Sequence, residues 1–144
     1  MEYAVAIIGN MEKKTVSADV VEFKGGEDSL DQLYKLIGCE RVDYVEITLD
    51  NDQYDLWCDD EFLLKQEEEV LGLAWYDQSH STANPTVILG NAVITHTNDE
   101  GETTGMSYEE ASFVAMKYAE YMTENLPKFI NWLKNVKASR ESEV

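Results

Sequence analysis

Carboxylates supply most of the chemistry this sequence could perform. Seven of them crowd one short stretch: Glu46, Asp50, Asp52, Asp55, Asp59, Asp60 and Glu61. Oxygen-rich groups of this kind attract either hard divalent cations or the basic side chains of another protein. The spacing does not complete a calcium loop. Asp50, Asp52 and Glu61 would stand at its positions 1, 3 and 12, but Asp55 occupies the position where the loop's sharp turn needs glycine. Histidine is limited to His80 and His96, and no H-E-x-x-H or H-x-H pattern joins them as metal ligands. Ser79-His80-Ser81 lacks a nucleophile elbow and a placed aspartate to orient the imidazole. No glycine-rich phosphate loop occurs. The residues therefore predict no catalytic group, no metal site and no cofactor, and leave the carboxylates as a surface that meets a partner.

The net charge of −18 is concentrated in one part of the chain. Residues 1–39 carry 7 acids and 4 bases, residues 40–110 carry 18 acids and 2 bases, and residues 111–144 carry 4 acids and 5 bases. An acidic middle without clustered lysine or arginine repels nucleic acid and anionic membranes, because it cannot release their counterions. Direct nucleic-acid or membrane binding is thus not expected. The apolar runs, such as Val87 to Leu89, are only strand-sized, and the N-terminus has no basic segment followed by an apolar one. A cytoplasmic protein is expected. Cys39 and Cys58 form no C-x-x-C pair and read as reduced, partly buried thiols.

The elements that must position the carboxylates follow from periodicity. Tyr3 to Ile8 and Thr15 to Lys24 read as a hairpin turning near Gly9-Asn10, with a bulge or a change of face expected near Asp19 to Val21 where the alternation slips. Ser29-Leu30-Asp31-Gln32 reads as a capping box opening a helix that Gly38 closes. Val42 to Leu49 and Tyr54 to Asp59 read as a second hairpin. Strand parity puts Val45, Ile47 and Leu49 on one face and would display Glu46, Asp50, Asp55 and Asp59 together on the other. Asp52, Asp60 and Glu61 would extend that acidic face.

Glu67 to Tyr76 fits an amphipathic helix, and Thr86 to His96 a strand interrupted at Gly90-Asn91. Ser107-Tyr108-Glu109-Glu110 is a second capping box, opening the longest helix. Leu126-Pro127 should end it and begin another helix over 126–138, followed by a frayed tail over 139–144. The expected architecture is a single α+β domain over 1–144, with a mostly antiparallel sheet of about five strands packed against two to four helices, including a C-terminal helical pair. Trp57, Trp75, Tyr76, Asn91 and Phe113 are the candidates for an oligomer interface or a ligand lining, Phe113 because it lies off the main helical stripe.

Several stretches together resemble a known family. Ser29-Leu30, Leu36-Ile37-Gly38, Val42 to Ile47, Asp59-Asp60-Glu61, Ile88 to Ile94 and Met106 to Glu110 look like the domain-of-unknown-function family numbered 3846, over most of residues 25–122. This chain has Gly38-Cys39 where the family usually has two glycines, and its helix from Pro127 reads as an addition. The resemblance implies a small acidic protein carried by phages, plasmids or other mobile elements. It assigns no activity and no functional residue. With the charge, it suggests a non-enzymatic protein that binds a basic surface, such as a host nucleic-acid-binding or defence protein, by imitating DNA phosphates. The alternative is a sponge for a signalling nucleotide, held at an oligomer interface.

Overall fold

Two hairpins and one strand distant from them in sequence build the main sheet. The computed structural model describes residues 1–10, 15–49, 52–59, 72–75, 86–89 and 91–142. Strands β1 (Tyr3–Asn10) and β2 (Thr15–Glu22) form the first hairpin, and β3 (Val42–Leu49) and β4 (Asp52–Asp59) the second. Helix α1 (Ser29–Ile37) lies between them in sequence. Strands β5 (Gly72–Trp75) and β6 (Thr86–Leu89) pair in a separate two-stranded sheet. Strand β7 (Ala92–Thr97), the short β8 (Thr103–Thr104) and helix α2 (Tyr108–Ser142) complete the order. The main sheet has six strands in the order β2-β1-β7-β4-β3, with β8 added to β7, and every pairing is antiparallel.

Alternation along these strands sorts apolar side chains onto two faces, and a helix covers each. Val5, Ile7, Leu56, Cys58, Ala92 and Ile94 join Ala111, Val114, Ala115, Tyr118 and Met122 of α2 in the larger core. Ala4, Phe23 and Val93, from the opposite face, pack with Leu33 and Ile37 of α1. β1 and β7 therefore read as nearly unbroken apolar runs, as strands buried on both sides do.

The same two-sided burial corrects the bulge or change of face expected in β2. Eight consecutive residues of β2 pair with eight of β1. Val20 and Val21 are both apolar because Val20 packs toward α2 while Val21 packs toward α1.

Caps set the helix ends, not always as their spacing suggested. No side chain caps α1, whose N-cap is Asp28. Gln32 instead clamps the preceding chain: its Oε1 accepts from Lys24 N at 2.9 Å, and its Nε2 donates to Lys24 O at 2.6 Å. Gly38 takes the left-handed conformation, φ 80°, that ends α1. At α2, Ser107 Oγ accepts from Glu110 N at 3.1 Å, which is half of a capping box. The Glu110 carboxylate turns away to accept from Tyr54 Oη at 3.2 Å, tying the helix start to β4.

Three expectations fail for identifiable reasons. α2 runs through Pro127 to Ser142, so one helix stands where a helical pair was expected. A proline inside a helix removes one N–H and crowds the carbonyl four residues back, at about 3 kcal/mol. Pro127 is exposed, so the carbonyl it displaces can turn to water. The predicted helix over Glu67 to Tyr76 is a strand at Gly72–Trp75, because pairing with Thr86–Leu89 outweighs a weak helical pattern that already contained a glycine. Residues 67–71 and 76 lie outside the described residues. The single strand expected over Thr86 to His96 is two strands, β6 and β7, which belong to different sheets; Gly90 lies outside the described residues.

One glycine is required by close approach. Met106 forms an antiparallel bridge with Tyr3, with Tyr3 N donating to Met106 O at 2.8 Å and Met106 N donating to Tyr3 O at 2.7 Å. A Cβ on Gly105 would stand 2.5 Å from Glu2 Cβ, 2.9 Å from Phe23 O and 3.0 Å from Tyr3 N. Gly105→Ala should therefore lower stability by about 1–3 kcal/mol, read as a lower urea midpoint with an unchanged slope.

Candidate functional site

Hairpin β3–β4 carries the carboxylates, and its register decides which of them reach solvent. Glu46 stands opposite Asp55, Leu49 opposite Asp52 and Val42 opposite Asp59. β4 is an interior strand, held between β3 and β7, with Thr95 of β7 on the other side of Asp55. Asp55 is consequently 9% exposed and Asp59 7% exposed. The Thr97 hydroxyl donates to Asp55 Oδ2. Asp55 and Asp59 are thus structural acids of the sheet and are not displayed as the parity argument required. Parity chose their face correctly but assumed that the face was open, whereas a strand flanked on both sides loses much of its access to water.

What remains exposed lies toward the sheet edge. Glu46 on β3 and Asp52 at the start of β4 are exposed, together with Asp43 and Tyr44, which were not singled out from the sequence. Asp50, Asp60 and Glu61 lie outside the described residues. Tyr44, 48% exposed, rests against Trp57, with ring centroids 4.9 Å apart. The Trp57 indole N–H donates to Thr95 Oγ1 at 2.8 Å, so this half-buried ring is anchored in the sheet. A signal for Tyr44 was present: it shares parity with Glu46, so an aromatic ring had to sit on the polar face.

The other candidates are dispersed. Asn91, half-buried, precedes β7, and Trp75 ends β5. Tyr76 lies outside the described residues. Phe113 is half-buried on α2 and is covered by the Lys117 ammonium, 5.6 Å from its centroid. Trp57 packs on the α1 side of the sheet, whereas α2, which carries Phe113, covers the other side. Cys39 is a half-buried thiol and Cys58 a buried one. Among the described residues no three His, Cys, Asp or Glu side chains are grouped as a metal ion would need. No described helix is long and apolar enough to cross a membrane.

Comparison with known proteins gives one result. The DUF3846 profile, a domain of unknown function, matches residues 8–122, more than half of the chain. The chain belongs to the DUF3846 family. No curated protein and no solved structure matches it. The family match takes in the last three residues of β1, all of β2, α1 and β3 to β8, and α2 up to Met122. The β3–β4 hairpin, β2 and β7 are therefore parts of the DUF3846 domain, whereas Val5 to Ile7 of β1, which pair with β7, precede the match.

Two substitution sets test this division. Asp55→Ala should destabilise by about 1–3 kcal/mol, because it leaves the half-buried Thr97 hydroxyl without its acceptor, whereas Glu46→Ala and Asp52→Ala should stay within about 0.5 kcal/mol. Urea unfolding of the three variants checks it. Tyr118 offers a second test on the α2 face. Its ring is fully buried and its hydroxyl has no hydrogen-bond partner among the described residues. Burial, with a smaller contribution from Tyr121, raises its pKa far above the usual value. A raised folded pKa means that the unfolded chain ionises first, so stability is lost as pH rises above about 10. Tyr118→Phe should leave stability equal or higher at pH 7 and make its decline above pH 10 shallower, as measured by unfolding at a series of pH values.

Proposed function

We propose that this DUF3846 protein is a non-enzymatic binding protein whose acidic surface engages a basic surface of another protein. The observation that carries this reading is the charge of residues 40–110, 18 acids against 2 bases, combined with the exposure of Asp43, Glu46 and Asp52 on one rigid hairpin. Charge of one sign held on a sheet attracts oppositely charged proteins at long range and orients them before contact. A nucleic-acid-binding protein has such a basic surface, shaped for phosphates. In a phage or other mobile element, this binding would occupy a host nucleic-acid-binding or defence protein. The burial of Asp55 and Asp59 narrows the idea: contact is made along the β3 side of the hairpin and not across a broad field of carboxylates.

The test is to titrate the purified protein against a panel of basic nucleases and nucleoid proteins at 50 and 200 mM salt. A specific complex should weaken at least tenfold between these conditions and again by roughly tenfold in the Glu46→Lys, Asp52→Lys double variant, because charge reversal turns attraction into repulsion. Absence of any complex at low salt, or affinity indifferent to both changes, would refute the proposal.

A further inference from the structure

Among the described residues the outer side of β3 is an unpaired sheet edge, and the geometry around Asp43 shows which of its backbone groups face outward. The Cys58 thiol donates to Asp43 O at 3.7 Å, so that carbonyl points toward β4. The next amide points the other way: Tyr44 N donates to the Asp43 carboxylate, Oδ1, at 2.8 Å. In an antiparallel pair this orientation alternates residue by residue. The N–H and C=O groups of Glu46 and Thr48 therefore face away from β4, like those of Tyr44. Among the described residues no strand pairs with this side of β3. β3 is eight residues long, pairs with β4 at every residue, and contains no proline, so it lacks three of the usual devices that blunt an edge: shortness, a bulge and a proline.

Charge selects what such an edge would accept. Glu46 and Asp55 stand directly opposite each other, and like charges in cross-strand positions repel. Among the described residues Glu46 has no ion-pair partner to offset this. A basic side chain arriving opposite Glu46 would do so. A second copy of the chain would bring its own acidic strand to the same edge, in a protein already at −18.

Resting on the binding reading above, we infer that β3 takes an extended segment of its basic partner as an added strand. The partner's backbone pairs with Glu46 and Thr48, and its lysine or arginine side chains lie on the Glu46 face. Val45, on the opposite face and only partly covered by the α2 core, favours apolar residues at the intervening positions. The free energy of recognition then comes from the backbone ladder, and the selection from charge.

An eight-residue peptide alternating lysine and valine serves as the probe, beside an analogue of identical charge whose lysine amides are N-methylated. Hydrogen exchange of the whole protein should show the Glu46 and Thr48 amides slowed tenfold or more by the peptide, and the N-methylated analogue should bind at least tenfold more weakly. Glu46→Pro removes an outward N–H that the fold does not use and should weaken the peptide similarly, beyond the effect of Glu46→Gln, which removes only the charge. The comparison of the two peptides on the unaltered protein stands even if the proline variant does not fold. Equal binding of both peptides, no binding of either, or protection spread over other acidic segments would overturn the inference. So would Glu46 and Thr48 amides already protected in the concentrated protein alone, since a second copy would then hold the edge. Salt-sensitive binding of basic proteins without protection of β3 would leave the broader binding proposal standing and remove only this one.

Discussion

Strand β7 is the constraint on which the rest of the fold depends. It is the described strand that joins the two hairpins, pairing with β1 through Val5 to Ile7 and with β4 through Asp55 to Cys58. Ala92, Val93, Ile94 and Thr95 are fully buried. Ala92 and Ile94 face α2, and Val93 faces α1, so one strand holds both cores in register. Without it each hairpin would be a two-stranded unit, which is marginal in water.

That central position also explains the electrostatics. Because β7 pairs with β4 from Asp55 to Cys58, Asp55 and Asp59 are drawn into the sheet, while Asp43 and Glu46 of β3 and Asp52 at the start of β4 stay exposed. Asp55 is held by the Thr97 hydroxyl, and Trp57 is tied to Thr95, so β7 supplies the polar groups that accommodate the inner half of the hairpin. The outer half keeps exposed carboxylates and an exposed aromatic ring. An acidic hairpin is thereby divided into a structural side and a side open to solvent.

Much of this was legible in the sequence, and what was not has physical causes. Both hairpins, α1 and the start of α2 follow from alternation, helical spacing, Gly38 and Ser107, all of them local signals. The separate fates of Thr86–Leu89 and Ala92–Thr97 depend on which distant strand each one meets, and no local pattern encodes that. The same holds for Gly72–Trp75, where a strand partner eleven or more residues away outweighs helical spacing. Pro127 misled because a proline's cost is a matter of a few kcal/mol, which a long helix with an exposed proline can bear. For the candidate site, parity assigned Glu46 and Asp55 to one face. Burial of Asp55 required the strand order, which the sequence does not state.

Carbodiimide labelling of carboxylates, followed by peptide mass spectrometry, tests the central division of the hairpin most directly. Asp43, Glu46 and Asp52 should label at the rate of exposed acids, with Asp55 and Asp59 labelling much more slowly in the folded protein and catching up only in denaturant. Labelling of Asp55 and Asp59 as fast as Glu46 under native conditions would contradict it, and would restore a broad acidic face in place of an acidic edge.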